Sequence, residues 1–308
     1  LAGNILARGE IARRLTVVAR SLVGTVRGGL GYVTVAASVF FAGLSGSGPA
    51  HVAAIGAFLY PGLQGAGYRR SFASALLAAG GGIGIIIPPS IALVIYGVLA
   101  ETSIPKLFMA GVFPGLLTAA SLAAVVWFEA RREPAAVAEG FAHVPFAKAL
   151  RESLWGLGAP VIILGGIYGG VFTPTEAAAV AVVYGLAVGL WVYRDIRLRD
   201  LPEILWTSAR TSAVVMTIVV MASVFAWVLT DQGIAEDAAA GLGFLKGSRV
   251  LFLLAVNAVI LVAGGVTGEP LKGVARAVLP FVAAECAALL LITFLPPLSL
   301  WLPSLLPR

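Results

Sequence analysis

The stretch that decides the fold is FFAGLSGSGPAHVAAIGAFLYPG at 40–62, followed after a basic turn by SFASALLAAGGGIGIIIPPSIALVIYG at 71–97. Both are apolar, and small residues and proline interrupt each of them. The first interruption is Ser45-Gly46-Ser47-Gly48-Pro49; the second is Gly80-Gly81-Gly82-Ile83-Gly84 with Pro88-Pro89-Ser90 beyond it. In water such a break is an ordinary loop. In lipid each unpaired backbone N–H or C=O costs several kcal/mol, so irregular backbone is tolerated only where protein buries it or where it lines a polar cavity. Two interrupted apolar segments in one chain are the sequence pointer to an ion and substrate site of a secondary transporter.

The rest of the chain supports a membrane setting. Hydrophobic residues make up 59% of the 308 and charged residues 12%, with a mean hydropathy of +0.98, whereas a soluble domain carries about 25% charged residues. The net charge of +6 is gathered in short segments between apolar runs. That is the pattern of the positive-inside rule rather than a nucleic-acid footprint. Cys286 is a single cysteine in an apolar run, and His51 and His143 are far apart. No disulfide framework, metal motif, nucleophile triad or phosphate loop is visible, so the chain reads as neither an enzyme nor an ATP-driven pump. The chain starts at Leu1 with no signal peptide, and we expect a hydrophobic segment ahead of it.

The expected fold class is an all-α polytopic membrane protein, with an inverted repeat. Residues 1–128 form the first repeat. It opens with an amphipathic arm whose Ile11, Leu15, Val18 and Leu22 share one face, among the basic residues Arg8, Arg13, Arg14, Arg20 and Arg27, as in a helix lying at the membrane interface. Next comes a re-entrant hairpin at 30–63, because Arg27 before it and Arg69-Arg70 after it belong on the same side. A helix over 72–100, broken near its middle, and a helix over 107–128 complete the repeat. Residues 129–152, the longest polar stretch, make a cytoplasmic linker. Residues 153–308 form the second repeat. There Thr173-Pro174-Thr175-Glu176 divides two helices, with Glu176 read as a capping residue and a proton carrier as its alternative, and 195–209 repeat the amphipathic pattern.

Of the candidate groups, Ser45 and Ser47 add hydroxyl oxygens to carbonyls exposed by Gly46 and Gly48, a donor set suited to a hard cation such as Na⁺. The alternative for these small residues is a close-packing face between helices. Four glycines in Gly80–Gly84 ahead of Pro88-Pro89 are expected to unwind the second segment, with a simple kinked helix as the alternative. His51, Glu285 and Asn257 are polar residues within apolar runs, each with a structural role as its alternative.

ASVFFAGLSGSGPAHVAAIG at 37–56, AAGGGIGIIIPPSIALVIYG at 78–97 with LFMAGVFPGLL after it, and ILGGIYGGVFTPTEAAAVAVVYGL at 163–186 together resemble the large membrane subunit of tripartite ATP-independent periplasmic (TRAP) transporters. The resemblance implies an elevator-type symporter in the bacterial inner membrane. It would use Na⁺ as coupling ion, with no other cofactor, to import C4-dicarboxylates, sialic acid or similar organic acids. Its partners would be a small membrane subunit and a periplasmic substrate-binding protein. The resemblance also implies that Ser45, Gly46, Ser47 and Gly48 form the hairpin tip and that Gly82, Gly84, Pro88, Pro89 and Ser90 form the broken helix opposite. Together they would build one Na⁺ site, from Ser45, Ser47, Gly82 and Gly84, and a wall of the substrate site.

Two departures stand out. Gly82 occupies a position where the family often has a hydroxyl residue. After AVNAVILVAGG at 255–265 the chain passes directly to VTGEPLKGVARAVLPF, without the second hairpin and second broken helix, so the second repeat is incomplete near 265. Two other readings therefore stay open: a non-transporting membrane scaffold or degenerate paralogue, and a carboxylate carrier that needs no binding protein.

Overall fold

The structure, a computed structural model, describes residues 1–7, 10–23, 26, 28–132, 145–233, 251, 253–254 and 272–306. Among these residues all regular structure is helical, as expected of an all-α polytopic membrane protein. Expectations that rested on His143, Asn257 and the passage from Gly265 to Val266 lie outside the described residues.

The first helices are α1 (Ala2–Ala7), α2 (Glu10–Val23), α3 (Gly29–Ser45) and α4 (Gly48–Gly65). Next come α5 (Arg70–Ile86), α6 (Ile91–Leu99), α7 (Ile104–Arg132), α8 (Phe146–Tyr168) and α9 (Pro174–Ala187). A π-helical turn at Val188–Val192 and a 3₁₀ turn at Leu198–Asp200 lead to α10 (Leu201–Asp231); α11 (Lys272–Phe294) and α12 (Pro297–Ser304) close the chain. Leu1–Leu201 with Leu271–Arg308 form one compact unit, and Pro202–Pro270 a second.

In the second unit the described structure is mainly α10, an uninterrupted apolar helix. The sequence reading placed a separate amphipathic helix over 195–209. Instead, Asp200 closes a short 3₁₀ turn by accepting the Arg197 N–H at 2.9 Å, and one helix then runs from Leu201 to Asp231. Nothing in 201–231 breaks it, because its Pro202 sits in the first turn, where the missing N–H costs nothing.

In the first unit α3, α4, α5, α7 and α11 share a core. Phe41, Ile55, Leu63, Leu76, Ile83, Leu122 and Phe281 are fully buried there. The rings of Phe72 and Phe281 meet at 5.3 Å and join α5 to α11. Ile104–Arg131, Phe146–Tyr168, Pro174–Val192 and Leu198–Asp231 are long and apolar enough to cross a bilayer. The pair α5–α6 is bent by 43° at its break, and the end of α11 with α12 by 58°.

The amphipathic arm has an apolar face, as expected, but what covers that face differs. Ile11, Leu15 and Val18 are at most 2% exposed, packed within the protein between α3 and α8; Leu22 alone of that set is exposed. Polar contacts explain the preference for protein over the lipid interface. The Glu10 N–H donates to Asp195 Oδ2 at 2.7 Å, Ser153 Oγ donates to the Arg14 carbonyl at 3.0 Å, and the Arg14 guanidinium lies 4.5 Å over the Tyr193 ring. Glu10 pairs with Arg13 and, at 3.1 Å, with Arg14. The hydrogen-bonded Arg13 guanidinium, more than any other group, holds its carboxyl below the usual carboxylate range.

Candidate functional site

The hairpin tip is built by two backbone choices. Gly46 has φ +57°, a left-handed conformation that ends α3 and that a side chain would strain. Ser47 is extended and precedes α4, with Pro49 in the first turn. The chain therefore folds back on itself. The Phe41 and His51 rings, ten residues apart, meet edge to face at 5.5 Å, which a continuous helix rising 1.5 Å per residue cannot allow.

The second segment breaks elsewhere than the glycines predicted. Gly80, Gly81, Gly82 and Gly84 all lie within α5, which is helical through Ile86; only Ile87–Ser90 are non-helical, with Pro88-Pro89 joined by a cis peptide. Each glycine costs a helix about 1 kcal/mol relative to alanine, and here close packing compensates. A Cβ on Gly80 would fall 2.7 Å from Ser38 Oγ, one on Gly81 2.7 Å from Val52 Cγ2, and one on Gly84 2.9 Å from His51 Nδ1. Gly80, Gly81 and Gly84 thus form a flat face on which the hairpin lies, in place of the unwound stretch expected of them.

The two breaks meet. The Ile91 N–H donates to the Gly46 carbonyl at 3.1 Å, and a Cβ on Gly46 would come within 2.7 Å of the Pro89 carbonyl oxygen. Ser45, Gly46, Gly48, Pro88 and Ser90 are buried, Ser47 and Pro89 half-buried. Ser45 Oγ lies 3.5 Å from the Ser47 carbonyl. Ser90 is the N-cap of α6. Its hydroxyl donates to the Ile85 carbonyl and accepts the Leu93 N–H at 3.3 Å. Pro88 and Pro89 supply no N–H for the carbonyls of Gly84 and Ile85. The Ser90 hydroxyl serves the second.

Gly82 is set apart from this group. A Cβ there would meet Glu285 Oε1 of α11 at 3.3 Å, on the side of α5 turned from the hairpin. The sequence reading overlooked Ser38. It is 1% exposed and stands seven residues, about two helical turns, before Ser45, and that spacing was the available signal. Glu176 is away from this site. It accepts the Thr173 N–H and hydroxyl, each at 2.8 Å, while its own N–H donates to Thr173 Oγ1 at 3.3 Å. This is the capping box expected from its place after Pro174.

Several bilayer-length helices together with two chain breaks that abut inside a helical core define an all-α, multi-pass membrane protein with an irregular backbone site at its centre. Residues 1–269 match the family described as tripartite ATP-independent periplasmic transporter, DctM component, and the chain belongs to that family of TRAP large permeases. It is 37% identical to the C4-dicarboxylate TRAP transporter large permease protein DctM of Pseudomonas aeruginosa, over 99% of this chain and 84% of the relative. It is 40% identical to the 2,3-diketo-L-gulonate TRAP transporter large permease protein YiaN of Escherichia coli, over 85% of this chain and 62% of the relative. It is 39% identical to the ectoine/5-hydroxyectoine TRAP transporter large permease protein UehC of Ruegeria pomeroyi, over 83% and 60%. The chain thus spans less than two thirds of the last two. The Pseudomonas alignment runs over 359 positions, more than the 308 residues of this chain, so that relative carries residues with no counterpart here.

Proposed function

We propose that the chain acts as the large permease subunit of a Na⁺-coupled importer of organic acids in the bacterial inner membrane. It works with a small membrane subunit and takes substrate from a periplasmic binding protein. The observation that carries this reading is the hydrogen bond between the two breaks, from the Ile91 N–H to the Gly46 carbonyl. It brings the Ser45–Gly48 tip, with its hydroxyl and carbonyl oxygens, against the Pro89 and Gly81 carbonyls. Oxygen ligands of this kind suit a small hard cation. In the mechanism we favour, the hairpin and broken helix move as one body that carries ion and substrate across, while the arm and flanking helices stay fixed. The substrate is a carboxylate of the class that includes C4-dicarboxylates and sialic acid. The relatives' names span C4-dicarboxylates, a diketo sugar acid, ectoine and the sulfonate isethionate; they support transport of small organic solutes and do not fix the carboxylate class.

The test is Na⁺-gradient-driven uptake by the chain reconstituted with its small subunit and binding protein. Ser45→Ala with Ser47→Ala is expected to lower uptake about tenfold, the equivalent of about 1.4 kcal/mol; unchanged uptake overturns the ion-site assignment. Uptake without the binding protein would favour the independent carrier. A second reading is favoured by the residues that the Pseudomonas relative has and this chain lacks: a scaffold that binds the small subunit and shows no flux.

A further inference from the structure

We propose that the exposed stripe of α7 ending at Arg131 is a binding site for an anionic phospholipid, with the lipid phosphate on the Arg131 guanidinium and the acyl chains along the helix below it. The site is separate from the two chain breaks and does not depend on the transport reading above.

The stripe follows from helical spacing. Leu116, Ala120, Ala124 and Phe128 recur every four residues on α7, with Trp127 and Arg131 beside them in its last turns, and all are exposed. On the other face Ala119, Leu122, Val126 and Ala130 are at most 7% exposed, packed within the protein. The apolar part of the stripe runs about 18 Å from Leu116 to Phe128, close to one leaflet of a hydrocarbon core about 30 Å thick. Its two alanines leave a shallow floor on which an acyl chain can lie. Ile104–Arg131 is one of the bilayer-length spans, so Arg131 ends it at the headgroup level, where an interfacial tryptophan is also favoured.

The charged end has the geometry to meet a phosphate. The Arg131 guanidinium carbon lies 3.6 Å from the centroid of the Trp127 ring, and the Trp127 and Phe128 rings meet edge to face at 4.9 Å. Stacking covers one face of the guanidinium and leaves its in-plane N–H groups for two oxygens of one phosphate. Among the described residues neither Arg131 nor Arg70 has a carboxylate partner. A second basic segment adjoins the first. A Cβ on Gly28 would lie 2.8 Å from Ala130 Cβ and 3.6 Å from the Tyr68 hydroxyl, so the end of α7 abuts the α4–α5 turn, which leads from Tyr68 into Arg69 and the exposed Arg70. The sequence bordering this junction carries Arg27, Arg69, Arg70, Arg131 and Arg132 against Glu129 and Glu133. A positive end above an exposed apolar strip complements an anionic headgroup together with its chains. A soluble anion would leave the strip unused, and a zwitterionic lipid would gain little from the excess positive charge.

The test is titration of the purified chain, in neutral detergent, with phosphatidylglycerol or with phosphatidylcholine of the same acyl chains, read by native mass spectrometry. The wild-type chain is expected to bind phosphatidylglycerol about fivefold more tightly or better, the weight of one arginine near an anionic surface. Arg131→Gln is expected to remove about that factor. Lys148→Gln, which takes the same charge from the exposed start of α8, is expected to leave it. Equal binding of the two lipids by the wild-type chain overturns the proposal. So does an equal loss in Arg131→Gln and Lys148→Gln, which would mean a response to net charge alone. Displacement of the lipid by inorganic phosphate at matched concentration overturns it too, since the apolar strip would then contribute nothing. Should Arg131→Gln fail to fold, the wild-type preference and the phosphate competition decide. Neither Na⁺ nor uptake enters these readouts, so a failed transport reading would leave them intact.

Discussion

Gly82 and Gly84 are two residues apart on α5 and face different neighbours. A Cβ at 84 meets the His51 ring at 2.9–3.2 Å, and that ring is held by Phe41 and the backbone of α4. A Cβ at 82 meets only the carboxylate tip of Glu285 at 3.3 Å, the far end of a flexible side chain. Gly84→Ala is therefore expected to cost about 1–3 kcal/mol through overpacking, whereas Gly82→Ala gains helix propensity of up to about 1 kcal/mol. Thermal melting of the purified variants separates the two. Equal midpoints would mean that the glycines do not seat the hairpin.

At the scale of the element, α9 begins at a capping box. Thr173→Ala removes the acceptor of the Glu176 N–H and one donor to the Glu176 carboxylate, and is expected to cost about 1 kcal/mol. Glu176→Gln keeps an acceptor oxygen for the Thr173 N–H and is expected to cost less than Thr173→Ala. The same pair of variants tells a cap from a proton carrier. A cap predicts that Glu176→Gln leaves uptake by the reconstituted complex intact, and loss of uptake at undiminished stability would make Glu176 a carrier.

Within the first unit as a whole, the arm joins stretches far apart in sequence. The Tyr193 hydroxyl accepts the Gly156 N–H at 3.2 Å and donates to the Glu152 carbonyl at 3.1 Å, while Arg14 covers its ring. Tyr193→Phe keeps the ring and deletes both bonds, worth about 1 kcal/mol each. Hydrogen exchange at 10–23 is expected to rise in this variant, with exchange at 70–86 unchanged. No change at 10–23 would mean that apolar packing alone holds the arm.

Local chemistry was legible in the sequence. Proline has no N–H, so Pro88-Pro89 had to interrupt a helix, and Ser90 stands where a cap belongs. Ser45–Pro49 had to turn, and Thr173–Glu176 had to start a helix, because those residue types satisfy or forgo particular backbone bonds wherever they stand. The alternation of apolar and basic residues likewise announced the membrane class and the apolar face of α2. What tertiary structure decided was every question of what a face meets. Glycine permits both a helix and a break, and Gly80, Gly81 and Gly84 are helical where Ser38, Val52 and His51 pack against them. The face of α2 turned to α3 and α8 instead of lipid because Asp195, Ser153 and Tyr193, over a hundred residues away, hold its polar side. That Gly84 lies beside the hairpin while Gly82 lies beside Glu285 follows from how α5 is rotated in its bundle. Periodicity lists the residues of a face, but only packing says which neighbour that face receives.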